Sequence, residues 1–188
     1  MAVTSDGTWI VSGGHDGAVR VWNLASGRLE RTLEGHPDKP LVQAVAVTPG
    51  GARIVAGGND RSVRIWDLAN GQMERTLEGY ALEAGEPRGS DGGVTAVAVT
   101  PDGHRIVWGV ADRVVLVTGK RPQGDYVGSE DCTLYVWDIA SGREVASWTP
   151  DLGIGVSACC TVPTDASLFV YGDSAGHVHV LRLLESSA

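Results

Sequence analysis

The sequence predicts an all-β fold of successive four-stranded antiparallel sheets, and three observations carry that prediction. Four segments, GGHDGAVRVWNLASG (13–27), GGNDRSVRIWDLANG (57–71), GSEDCTLYVWDIASG (128–142) and GDSAGHVHVLRLLES (172–186), share one pattern. Asp16, Asp60 and Asp131 precede Trp22, Trp66 and Trp137 by six residues, with Ala175 and Leu181 at the matching places of the last copy. Trp22 to Trp66 and Trp137 to Leu181 both span 44 residues, and Trp66 to Trp137 spans 71, so the unit is long enough for four short strands. No helical periodicity competes, and 26 glycines suit a turn-rich β chain.

Within each unit the first strand is an apolar run such as AVAVT (44–48 and 96–100), closed by a turn signal. Those signals are Thr4-Ser5-Asp6-Gly7, Thr48-Pro49-Gly50-Gly51 and Thr100-Pro101-Asp102-Gly103, in which glycine accepts positive φ without steric cost. The second strand leads to the Asp-bearing turn. The third alternates between two faces: Val19 and Val21 against Arg20 and Trp22, Val63 and Ile65 against Arg64 and Trp66, Leu134 and Val136 against Tyr135 and Trp137, Val178 and Val180 against His179 and Leu181. Ala-Ser-Gly (25–27), Ala-Asn-Gly (69–71) and Ala-Ser-Gly (140–142) then lead into a fourth strand such as RLERTLEG (28–35) or QMERTLEG (72–79).

A unit of about 40–45 residues of short strands ending in Trp-Asp resembles one blade of the tryptophan-aspartate (WD) repeat β-propeller family. The resemblance covers nearly the whole of residues 1–188, read as one propeller domain with blades at about 1–35, 36–79, 80–149 and 150–188. In that family a His, an Asp, a Ser or Thr and the third-strand Trp are hydrogen-bonded in series within a blade. The resemblance places His36, Asp60 and Trp66 in one such structural network, Ser12, Asp16 and Trp22 in another, and leaves Asp131 and Trp137 as part of a third. Buried polar groups that satisfy one another fix a blade, so this reading is preferred to a Ser-His-Asp hydrolase triad, which needs an open cleft and an oxyanion site.

Several departures matter. Ala56 and Val127 are read at the Ser12 position of the second and third units, Tyr80 follows Gly79 where His36 follows Gly35, and Tyr171, Ala175 and Leu181 replace Ser, Asp and Trp in the last. The first unit has no Gly-His, and after the strand at 178–183 only Leu184 to Ala188 follow, so a fourth strand is missing. The expectation is a partial propeller of about four blades, incomplete at both ends. A fragment, a pairing with a second copy, or docking on another half-propeller would each account for its uncovered faces.

Two insertions interrupt the period. Trp66 to Val97 spans 31 residues against 23 for Trp22 to Val45, and Val97 to Trp137 spans 40 against 21 for Val45 to Trp66. The added residues fall in 80–93 and 109–126, which are expected as long loops on one rim of the disc, because connections from fourth to first and from second to third strand open on the same side. Long loops on a rigid scaffold commonly carry recognition. Glu83, Glu86, Arg88, Asp91, Asp112, Arg113, Lys120, Arg121 and Tyr126 are therefore the candidate partner-binding residues.

A net charge of −8 argues against nucleic acid and anionic membrane as partners, and Lys120-Arg121 is the only adjacent basic pair. Neither a run of about 18 apolar residues nor a basic, apolar leader is present, which points to a cytoplasmic protein. Cys132, Cys159 and Cys160 have neither disulfide nor metal spacing and read as free thiols. His177 and His179 form an H-x-H pair that could offer two metal ligands, but no third is identifiable in the sequence and packing is the preferred reading. No catalytic residue, cofactor or metal is therefore assigned. The sequence supports a non-enzymatic protein-protein interaction scaffold or sensor module, which the resemblance extends to part of a larger propeller or multidomain signalling protein. The alternatives are a hydrolase or metal-dependent enzyme seated at the propeller centre, or a truncated fragment without independent function.

Overall fold

The computed structural model describes residues 1–34, 41–78, 93–117, 126–131, 133–149 and 155–184, with the backbone path alone at 111–117 and 126–131. Four antiparallel sheets follow one another along the chain. The first holds β1 (Ala2–Val3), β2 (Trp9–Gly13), β3 (Ala18–Asn23) and β4 (Leu29–Glu34) in that spatial order. The second repeats it with β5 (Val42–Val47), β6 (Arg53–Gly58), β7 (Ser62–Asp67) and β8 (Met73–Glu78). The third is built on β9 (Gly93–Val99) and β10 (Arg105–Val117), followed by β11 (Tyr126–Asp131), β12 (Leu134–Asp138) and β13 (Arg143–Trp148). The fourth has three strands among the described residues, β14 (Val156–Val162), β15 (Asp165–Asp173) and β16 (Val178–Arg182).

The turns show why these residues stop the strands where they do. Thr4 and Thr100 hydroxyls donate to Asp6 and Asp102, whose carboxylates also accept the Thr8 and His104 amides. Gly7 and Gly103 follow at φ 68° and 74°, where an L side chain would be strained. Beside those turns, at the end of the third strand, Asn23, Asp67 and Asp138 accept the amides of Ser26, Asn70 and Ser141 at 2.9, 2.8 and 2.7 Å. The aspartate of Trp-Asp thus closes the turn between third and fourth strands by a local side-chain bond.

Three apolar seams join the sheets in sequence. Val11, Val19, Val21 and Leu33 of the first sheet pack with Val45, Ile54, Ala56 and Trp66 of the second. Val55, Val63, Ile65 and Leu77 on the reverse of the second meet Val94, Val99, Ile106 and Trp108 of the third. Val107, Leu134 and Val136 then meet Val156, Phe169 and Tyr171 of the fourth. The period-2 pattern of each strand supplies both faces of a sheet at once. Close approach at each seam requires a glycine, because a Cβ on Gly13, Gly57 or Gly109 would strike Val42, Val94 or Val156 of the next sheet.

The structure corrects two readings of the third unit. Residues 109–126 were expected to form a long loop, yet β10 continues to Val117 and β11 returns antiparallel to it, from Val117↔Tyr126 to Asp112↔Asp131. A run rich in β-branched residues such as Val114-Val115-Leu116-Val117 satisfies its backbone by pairing with a second strand. The residue opposite Tyr135, matching Ser12 opposite Arg20, is consequently Trp108 and not Val127. The inserted hairpin lies between that position and Trp137, so the ten-residue offset of Ser12 from Trp22 does not carry over to the third unit.

The two outermost faces are unlike each other. The outer side of the first sheet presents Ile10, Ser12 and Trp22, the places that Ile54, Ala56 and Trp66 fill in the buried face of the second. The outer side of the fourth presents Val178 and Val180, 72% and 64% exposed, at the places of the buried Val63 and Ile65.

Candidate functional site

Three regions concentrate polar chemistry: the turns between second and third strands, the β10/β11 hairpin that leaves the third sheet on the same rim, and the corresponding turn of the fourth sheet. In the first sheet the Trp22 indole Nε1 donates to Ser12 Oγ at 2.9 Å across the β2/β3 pair. Ser12 is thereby a strut holding the tryptophan. Among the described residues no bond links Asp16 to that pair. It accepts the Ala18 amide at 3.3 Å and two bonds from the Arg20 guanidinium, which hold its carboxyl down at about 2.

Asp60 in the second sheet accepts the Ser62 amide at 3.1 Å and its hydroxyl at 3.0 Å, with Arg64 at 3.4 Å. Trp66 is buried at the first seam. In the third sheet Trp137 lies tilted against Trp108 with ring centroids 5.2 Å apart, and both indole nitrogens are buried without hydrogen-bond partners among the described residues. An aromatic has taken the place of the hydroxyl that serves Trp22. Asp131 ends β11 opposite Asp112, away from Trp137 in the ladder.

Of the candidate partner-binding residues, Asp112 and Arg113 lie on β10 and Tyr126 begins β11, so one hairpin carries all three. Glu83, Glu86, Arg88, Asp91, Lys120 and Arg121 lie outside the described residues, as do His36 and Cys132.

The fourth sheet holds a cluster only half visible in the sequence. Asp173 Oδ2 lies 3.1 Å from His177 Nδ1 and 2.9 Å from His179 Nε2, while its Oδ1 accepts the Ala175 and His177 amides at 3.0 and 2.8 Å. The His179 contact, followed by the His177 amide and ring, holds this carboxyl far below the ordinary range despite its burial. Tyr171 stacks flat on His179 at 4.5 Å, and Trp148 of β13 lies 6.4 Å from the same ring. Sequence reading found the two histidines and missed Asp173. The available signal was an aspartate where the first two units have Gly14 and Gly58.

Cys159 and Cys160, adjacent on β14, project to opposite faces and are both free. Burial, with Cys160 adding, pushes the Cys159 thiol up to about 12. The opposite rim carries a cleft of about 190 Å³, bordered by Arg53, Glu74, Arg75 and His104 and crossed by an Arg53–Glu74 ion pair at 2.6 Å. Small-molecule sites are usually about 300–1,000 Å³, so this one is too small for an ordinary substrate pocket.

The family model for the WD domain, G-beta repeat, matches residues 1–23, 27–67 and 84–138.

Proposed function

From the premise that the chain belongs to the WD domain, G-beta repeat family, we propose that it acts as a non-enzymatic scaffold or sensor that binds another protein through one rim. The family is commonly an interaction scaffold and generally non-catalytic. The observation that carries the finer reading is the β10/β11 hairpin, which extends one rim beyond the repeating sheets and bears Asp112, Arg113 and Tyr126. A paired hairpin is a partly ordered recognition element, so less ordering cost opposes docking than for an open loop of equal length. A net charge of −8 favours a protein partner with basic groups over nucleic acid or an anionic membrane. The exposed thiol of Cys160 suits a reducing compartment, in support of a cytoplasmic protein.

The test is crosslinking mass spectrometry on the full chain in extract, beside a variant whose residues 112–131 are replaced by an Asn-Gly turn. A stoichiometric partner crosslinked to the hairpin rim, lost in the variant while its melting temperature is kept, is the expected result. Crosslinks confined to the opposite rim, or substrate turnover by the purified chain alone, would overturn the proposal.

A further inference from the structure

We propose that Asp173, His177 and His179 form a Zn²⁺ site on the rim of the fourth sheet. The inference is independent of the interaction role and stands on the geometry of three donors. Asp173 Oδ2, His177 Nδ1 and His179 Nε2 all lie within 4.8 Å of one another, with two of the separations at 2.9 and 3.1 Å. A tetrahedral ion with ligands at about 2.0–2.1 Å holds its donors about 3.3 Å apart, so small rotations of two imidazoles suffice to receive it.

The strand supplies the arrangement. His177 and His179 are two apart and share a face, and the turn of residues 174–176 folds Asp173 back between them. Asp173 is prepared for a cation: two amides occupy Oδ1, which leaves Oδ2 to face the rings, and the side chain is 4% exposed. His179 is held flat against Tyr171, which limits its ring rotation. His177 and His179 are 67% and 39% exposed, so an ion can enter from solvent.

Two imidazoles and one carboxylate are the donor set of a borderline divalent ion, and three protein ligands leave a fourth position for water. The same places are Gly14, Ala18 and Arg20 in the first sheet and Gly58, Ser62 and Arg64 in the second, none of which offers such a set. The bland reading of the fourth sheet is that a carboxylate and two imidazoles merely replace the Asp–Arg ion pair of the first two. It accounts for the contact of His179 with Asp173 and leaves the second ring, His177, directed at the same Oδ2, without a role.

Calorimetric titration of the full chain with ZnCl₂ near neutral pH should show one ion per chain. Asp173→Asn and His179→Gln should each weaken it at least about ten-fold, the scale on which metal sites respond to loss of supporting groups. In the unsubstituted protein, NMR of the imidazole rings should show Zn²⁺ shifting His177 and His179 and leaving His15 and His104 unmoved, a readout that does not depend on how the variants fold. No uptake, uptake unaffected by Asp173→Asn, or shifts at His15 or His104 instead would overturn the assignment.

Discussion

Ser12, Ala56, Trp108 and Tyr171 stand at one equivalent position opposite the third strand of their sheets, and each solves a different local problem. Ser12 accepts the indole proton of a half-buried tryptophan. Trp108 has no exposed surface and fills the second seam with its own bulk, and among the described residues its indole nitrogen and that of Trp137 have no partner. Trp108→Ala should therefore destabilise the protein by about 3–5 kcal/mol in urea unfolding, as loss of a buried aromatic does. Ser12→Ala should cost only about 1 kcal/mol. Equal losses would refute the contrast. The place of Trp108 was legible: Ser12 and Ala56 follow the turn threonines Thr4 and Thr48 by eight residues, and Trp108 follows Thr100 by eight. The eight-residue offset survives because the insertion begins beyond Trp108, in the continuation of the same strand.

At the scale of elements, the fourth strand does more than complete a sheet. Arg31 on β4 donates to the Leu68 carbonyl at 2.5 Å and Arg75 on β8 to the Ala140 carbonyl at 3.1 Å, so each outer strand clasps a turn of the following sheet. The repeated RTLEG sequence shows an outer strand but not this purpose, since the carbonyl it meets comes from a residue 37 or 65 positions on. Arg31→Ala and Arg75→Ala should each lower stability by about 1–2 kcal/mol, with loss in the double variant close to the sum, measured by denaturant midpoints. A change smaller than about 0.3 kcal/mol for either would show the clasp to be ornamental. The third sheet has Ala146 at that place, and contact with the fourth is made by Trp148 against Tyr171 and His179.

For the whole molecule, the Asp–Trp offset of three units and the 44-residue spacing from Trp137 to Leu181 sufficed to predict four sheets in linear order, because one face pattern recurs in every unit. What escaped was tertiary: the pairing of β10 with β11, and the return of Asp173 toward two histidines, depend on where a turn sends the chain. Acid response belongs at this scale too. Hydrogen bonds from Thr4 and Thr8 hold Asp6 at about 2, and Arg20 holds Asp16 at about 2. An unfolded aspartate titrates near 3.9, so both contribute stability above that pH and lose it as the pH falls through about 2. Stability should accordingly decline across that window, and Asp6→Asn with Asp16→Asn should flatten the decline. A slope unchanged in the double variant would assign acid sensitivity elsewhere.

The seams differ in where they are fastened. The first two carry a peripheral tie in Arg31 and Arg75, and the first adds an inner bond from the Val42 amide to the Gly14 carbonyl at 3.0 Å; in the third the ties lie beside the inner strands, where Thr95 donates to the Val156 carbonyl at 2.6 Å and Thr161 to the Val99 carbonyl at 2.8 Å. The last sheet is thus held to the third by main-chain acceptors beside its inner strands and by ring contact at the outer one, where Trp148 meets Tyr171.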